Sequence, residues 1–226
     1  MKMVSIHIPK SGGVNFGEHL DHIYGENNVV HDYNHTDRPG YTSEPIDKNV
    51  MKRLRDTDSQ LIIHGHFFMS KYANIPNVKR IVWFRNPVER LCSHYYFWMK
   101  LEDKEHHNWG LLHKKGLSLL DFAKIKEIRN YYTMFLDGVR ISAFDFVGSA
   151  DSYSDSLDLF YEMFAPDKYI LDIHRNKNSG KSEELYPLSN KLRRKLESIN
   201  REDMFLYEKA LKRYERLRSS MYRFWT

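Results

Sequence analysis

Residues 4–23 read as strand, loop and helix in immediate succession. A β-branched run leads into Pro9-Lys10-Ser11-Gly12-Gly13, and then Phe16, Leu20 and Ile23 fall on one helical face. No other feature constrains the fold as far. A strand that feeds directly into a helix meets its parallel neighbour only after a crossover, since hairpins join antiparallel strands. Residues 80–84 repeat the arrangement, with Asn86 and Pro87 suited to the N-cap and first position of a helix over 88–100. Residues 144–147 repeat it again before a helix over 152–164. With 61–63 and 169–173 added, about five strands are predicted. The expectation is one α/β domain over residues 1–226, a parallel sheet covered by helices on both faces.

Between these elements, 24–58 is polar and rich in Asn, Asp, His and Pro, and predicts a surface excursion in which only 49–55 is helical. Residues 101–116, holding His106, His107 and His113, predict a mobile loop, 117–136 mainly helix, and 174–188 a polar loop. Helices over 190–198 and 201 to about 218 close the chain, with Asn200 and Asp203 placed to act as N-cap and N3 partner.

Composition removes several classes of function. Of the 226 residues 41% are hydrophobic and 14% aromatic, enough for a core and too much for a disordered chain. No apolar run reaches membrane-spanning length. Cys92 is the only cysteine, which excludes an intrachain disulfide framework and a cysteine-rich zinc site. The first residues enter the strand pattern without signal-peptide architecture, so a soluble, cytoplasmic protein is expected. The 35 Lys and Arg exceed the 30 Asp and Glu by five, but the two signs are interleaved. Only Lys191-Leu192-Arg193-Arg194-Lys195 is concentrated, and it reads as a solvated helix face. A small anionic ligand is expected, and nucleic acid is not.

Ligands of parallel sheets bind beyond the carboxyl ends of the strands. Three polar groups fall there: Lys10 to Gly13, His64-Gly65-His66, and Arg85 with Arg90 and Ser93. Glycines let backbone N–H groups reach an oxyanion, the following helix offers its positive end, and Lys10 adds a full charge. The alternative is a Gly-Gly turn with a solvated lysine. This is not a nucleotide-triphosphate loop of the G-x-x-x-x-G-K-[ST] type. The one Gly180-Lys181-Ser182 has Arg175 where the first glycine belongs. Arg85, Arg90 and Ser93 suit a phosphate through planar guanidinium forks and a hydroxyl, or they belong to a helix-start ion pair of Glu89 with Arg85 or a nearby basic residue. His64 and His66 share one side of a strand and suit a general base, or a hydrogen-bonded structural pair. No third and fourth ligand stands at fixed spacing to make them a metal site.

His7-Ile8-Pro9-Lys10-Ser11-Gly12-Gly13-Val14-Asn15-Phe16 resembles the 5′-phosphosulfate loop, I-P-K-T-G-G-T-S-F, of sulfotransferases that use 3′-phosphoadenosine 5′-phosphosulfate. The run from Val82 to Tyr96, with Arg85-Asn86-Pro87-Val88-Glu89-Arg90 at its heart, resembles the 3′-phosphate segment R-D-P-V-x-R-x-x-S-x-Y. His64-Gly65-His66-Phe67 lies between them, as in the heparan sulfate 2-O-sulfotransferase branch. Asn130-Tyr131-Tyr132-Thr133-Met134-Phe135-Leu136-Asp137-Gly138, Phe146-Val147-Gly148 and Asp203-Met204-Phe205-Leu206-Tyr207-Glu208 extend the likeness in order along the chain.

The resemblance implies a P-loop-like sulfotransferase fold in which Lys10, Ser11, Gly12, Gly13, Val14 and Asn15 wrap the 5′-phosphosulfate. Lys10 would neutralise the bridging oxygen, while Arg85 and Ser93 hold the 3′-phosphate. Lys181 would lie on a donor-closing loop. His66, with His64, would deprotonate an acceptor hydroxyl. It implies a saccharide or glycoconjugate acceptor, adenosine 3′,5′-bisphosphate as product, and no metal. The chain departs from the family pattern at Val14-Asn15 for Thr-Ser, Asn86 for Asp, and Tyr132 and Met134 for Gln and Arg. The rival expectations are a phosphate-handling transferase of similar topology and a non-catalytic nucleotide- or anion-binding relative.

Overall fold

The computed structural model describes residues 1–33, 45–102, 109–172 and 185–222. Five parallel strands form one sheet in the order β2-β3-β1-β4-β5. They are β1 (Lys2–Ile6), β2 (Val29–Asp32), β3 (Leu61–Gly65), β4 (Lys79–Phe84) and β5 (Phe146–Ser149). The central strands are almost wholly buried because helices cover both faces, which is why they read as apolar runs rather than alternating ones. Val4, Ile63, Val82 and Phe84 pack on one side with Tyr132, Phe135 and Ala210. Met3, Ile62 and Ile81 pack on the other with Phe16, Leu20 and Phe160. A third cluster lies around α4 (Pro87–Lys100), where Leu91 and Trp98 meet Phe122 and Leu196.

The sheet has five strands, but two expectations about its membership are corrected. The expected strand at 169–173 is not one: its described residues pair with no strand, and Tyr169 is 70% exposed. Tyr169 is instead held by His22 on α1 (Gly13–Tyr24), whose ring lies 4.6 Å from the tyrosine ring at a 60° tilt and whose Nε2 reaches the Tyr169 carbonyl at 3.2 Å. The fifth place is taken by β2, inside the expected excursion, pairing His31 with His64 and Asp32 with Gly65. A β-carbon on Gly65 would lie 1.8 Å from the Asp32 carbonyl oxygen, so β2 approaches this closely only because residue 65 is glycine. Asp32 is buried against Lys71 at 2.6 Å and Tyr72 at 2.8 Å.

Other boundaries shift for physical reasons. Residues 110–114 form one wide helical turn that buries Leu112, rather than open loop, while His106 and His107 lie outside the described residues. The helical stretch over 117–136 is two helices, Leu119–Lys124 and Tyr131–Leu136, divided where Asn130 adopts a left-handed backbone. Asn86 caps α4 as expected, accepting from the N–H groups of Val88 and Glu89. No helix among the described residues is long and apolar enough to cross a membrane.

Candidate active site

Beyond the carboxyl ends of β1, β3 and β4, three loops meet. The first begins at Lys10, whose φ of 68° is left-handed, a conformation costing a residue with a β-carbon about 1–2 kcal/mol. That turn sets the Lys10 ammonium 4.0 Å above the ring of Phe97 on α4. Burial and the nearby Arg85 charge lower the lysine pKa to about 8. Among the described residues no carboxylate pairs with it. The loop then enters α1 through Gly12, which supplies no side-chain cap, leaving the first N–H groups of the helix for an anion. Val14 is exposed and Asn15 half-buried at this end.

Gly13 is fixed by a neighbour that the sequence reading gave no role. A β-carbon at Gly13 would stand 1.9 Å from Cδ2 of His7, so only glycine leaves room for that buried ring. His7 lies 4.4 Å from the ring of His66 and stacks on His64 at 5.4 Å, with Nδ1 3.2 Å from the Tyr33 hydroxyl. Burial, then the charges of His66, His64 and Lys10, push its pKa well down, so the ring is neutral.

His64 and His66, two residues apart, sit in different surroundings. His64 is fully buried and both its nitrogens are engaged. Nε2 lies 2.9 Å from the Gly13 carbonyl, which can only accept, so Nε2 carries the proton. Nδ1 therefore accepts from the Ser5 hydroxyl at 3.0 Å. Burial lowers its pKa to about 3. His66 is partly exposed, with the Tyr33 ring 4.9 Å away.

The third loop carries Arg85. Tyr132 donates to the Arg85 carbonyl at 2.5 Å and accepts from its N–H at 3.0 Å, and the Ser11 hydroxyl lies 3.4 Å from the same phenol oxygen. The departure at residue 132 is thus the piece that ties the first loop to the third. Tyr132 is set in turn by Asp203, whose carboxylate accepts from the N–H groups of Tyr132 and Thr133 at 2.9 and 3.0 Å. Asp203 therefore caps the helix Tyr131–Leu136, and is not a capping-box partner of Asn200, whose side chain bonds Leu196 and Asn130. One helical turn on, Tyr207 donates to Asp151 at 2.8 Å, and Asp151 accepts the Asn86 N–H at 2.7 Å while standing 4.0 Å from Arg85 Nε.

The ion pair of Glu89 is made with Arg193, a basic residue from another helix. Glu89 is buried and accepts from Arg193 at 3.0 Å and the Tyr186 N–H at 2.9 Å, which turns one member of the 191–195 basic run inward. Arg90, 1% exposed, stacks on Tyr131 at 4.4 Å and does not join Arg85 at the surface. Ser93 is half-buried on α4, two turns beyond Arg85. Lys181 lies outside the described residues. No group of three or more His, Cys, Asp or Glu among the described residues could hold a metal ion.

A parallel sheet with an uncapped helix end, a half-buried lysine and an arginine at its carboxyl edge is the arrangement of a class of proteins suited to anionic groups. The chain belongs to the sulfotransferase family, whose model matches residues 1–210. It is an enzyme of sulfuryl transfer. It is also similar to a sulfotransferase from Alicyclobacillus acidocaldarius of known crystal structure, at 15% identity and a TM-score of 0.48, over 90% of this chain and 92% of that one. No curated protein matches the chain.

Proposed function

We propose that the enzyme moves the sulfuryl group of 3′-phosphoadenosine 5′-phosphosulfate to a carbohydrate hydroxyl. The observation that carries this reading is Lys10, a half-buried ammonium beside Arg85 with no carboxylate partner among the described residues, next to an uncapped helix start. Of the two cations, Asp151 answers only Arg85, so the charge of Lys10 is left for an incoming anion. In this reading Gly12, Gly13, Val14 and Asn15 offer backbone N–H groups to the 5′-phosphosulfate and Ser11, whose own N–H is spent on the Ile8 carbonyl, offers its hydroxyl, while Arg85 with Ser93 takes the 3′-phosphate. Lys181 remains a further contact by resemblance alone.

His66 is the proposed base, since His64 spends both nitrogens on Ser5 and Gly13. An imidazole nitrogen of His66 takes the acceptor proton as the acceptor oxygen bonds sulfur. The bond from sulfur to the bridging oxygen breaks, and Lys10 stabilises the charge left on adenosine 3′,5′-bisphosphate. The exposed Tyr33 and Phe97 rings flank His66 and Lys10, and flat aromatic faces of this kind suit a sugar. The His-Gly-His run is the feature shared with the heparan sulfate 2-O branch.

Calorimetric titration with adenosine 3′,5′-bisphosphate, ADP and ATP tests the donor. Preference for the bisphosphate by tenfold or more is expected; equal binding of ADP would remove the 3′-phosphate site.

A further inference from the structure

The helix Arg201–Tyr222 carries Lys209, Lys212, Arg213 and Arg216 at i, i+3, i+4 and i+7, a spacing that puts four cations on one face. Opposite them Arg140 stands on the turn leading towards β5. Together they line a cavity of about 530 Å³, floored by Leu136, Ile141 and Leu206, whose lining contains no Asp or Glu. Among the described residues none of the five cations forms an ion pair with a carboxylate. Arg213 Nη2 reaches the Phe144 carbonyl at 3.3 Å, while its buried Nε has no hydrogen-bond partner among the described residues. Phe144 precedes β5, so the Arg213 end of the groove lies towards the amino edge of the sheet, and none of the Lys10 loop lines it.

We infer that this groove is a second anion site, built for an oligoanion bearing several sulfate or phosphate esters. Like charges three and four residues apart repel along a helix, and a ligand that spans them relieves the repulsion. From Lys209 to Arg216 the helix rises about 10 Å, too far for one phosphate to meet every cation. The volume suits a ligand of disaccharide size. An apolar floor beneath a charged rim fits a sugar ring or ester chain lying flat with its anionic groups turned outward.

The test titrates the full chain, saturated with adenosine 3′,5′-bisphosphate, with sucrose octasulfate in one arm and tripolyphosphate in the other. The bisphosphate is titrated first by itself, and its failure to bind counts against the donor site alone. Binding of either probe is expected, with affinity falling at least tenfold in Lys209→Glu/Lys212→Glu/Arg216→Glu while bisphosphate affinity stays within twofold. The single variant Lys212→Glu, at an exposed position, keeps the test readable if the triple variant misfolds, and should weaken binding about threefold. A tenfold preference for the sulfated sugar assigns the groove to acidic saccharides; equal binding assigns it to oligoanions without discrimination. No binding of either probe, or binding unchanged in the variants, overturns the inference.

Discussion

The phenol of Tyr132 holds the backbone of Arg85 from both sides, donating to its carbonyl and accepting from its N–H. The contact spares the guanidinium, so loop position and loop charge are set by different atoms. Tyr132→Phe leaves two backbone groups without their partner, which costs about 1–3 kcal/mol. The expected outcome is a lower urea midpoint together with bisphosphate affinity reduced about tenfold. Arg85→Lys should weaken affinity with the midpoint unchanged. Equal effects of both variants on stability would contradict this division.

His7 and Gly13 should show strong coupling. Gly13→Ala drives a methyl group into the His7 ring, and overpacking of this kind costs about 1–3 kcal/mol. In a His7→Ala background the same change should be nearly neutral. A double-mutant cycle by chemical denaturation measures the difference, and additive losses would mean that the loop simply shifts.

His66→Ala is expected to lower turnover by about a hundredfold or more while bisphosphate affinity changes less than twofold. His64→Ala should instead lower stability, since it strips the Gly13 carbonyl and the Ser5 hydroxyl of their partner. Single-turnover kinetics beside denaturation curves separate the two. Turnover in His66→Ala within twofold of the parent would exclude it as the base.

Acid should destabilise the fold in a defined window. The His64 pKa of about 3 lies below the ordinary 6.5, so the unfolded chain binds the proton more readily. This contribution to stability is complete above pH 6.5 and is lost as pH falls from 6.5 towards 3, by up to about 1.4 kcal/mol per pH unit. His7 adds a loss of the same sign. Urea midpoints at pH 7, 6 and 5 test this, and a flat profile would contradict it.

Donor affinity should fall in alkali. Lys10 loses its proton near pH 8 in the free protein, and a bound anion raises that value, so binding takes up a proton above pH 8. Affinity should weaken up to about tenfold per pH unit there. Titrations in buffers of different ionisation enthalpy count the proton, and Lys10→Met should abolish its uptake.

The sequence exposed what local chemistry determines. The loop from Pro9 to Gly13 and the Asn86-Pro87 helix start are read from residues within a few positions of each other. What it concealed is non-local. β2 has only four residues, and its buried Asp32 is paired with Lys71 and hydrogen-bonded by Tyr72, some forty positions away, so nothing local marks it as a strand. Tyr169 and Ile170 look like strand residues because an apolar run carries no information about which element it meets. The same holds for Tyr132 and Asp203, 71 positions apart: each reads as an ordinary member of a helix until the other is placed. Only the motif likeness around each of them hinted at more.

The single imidazole of His64 bonds the carbonyl at the start of α1 and stands on the strand that ends beside His66. The proposed donor cradle and acceptor side thus share one mechanical pin. On heating, the two halves of the reaction should not loosen in turn. Nucleotide retention and hydroxyl activation should disappear at the same temperature, as a single step.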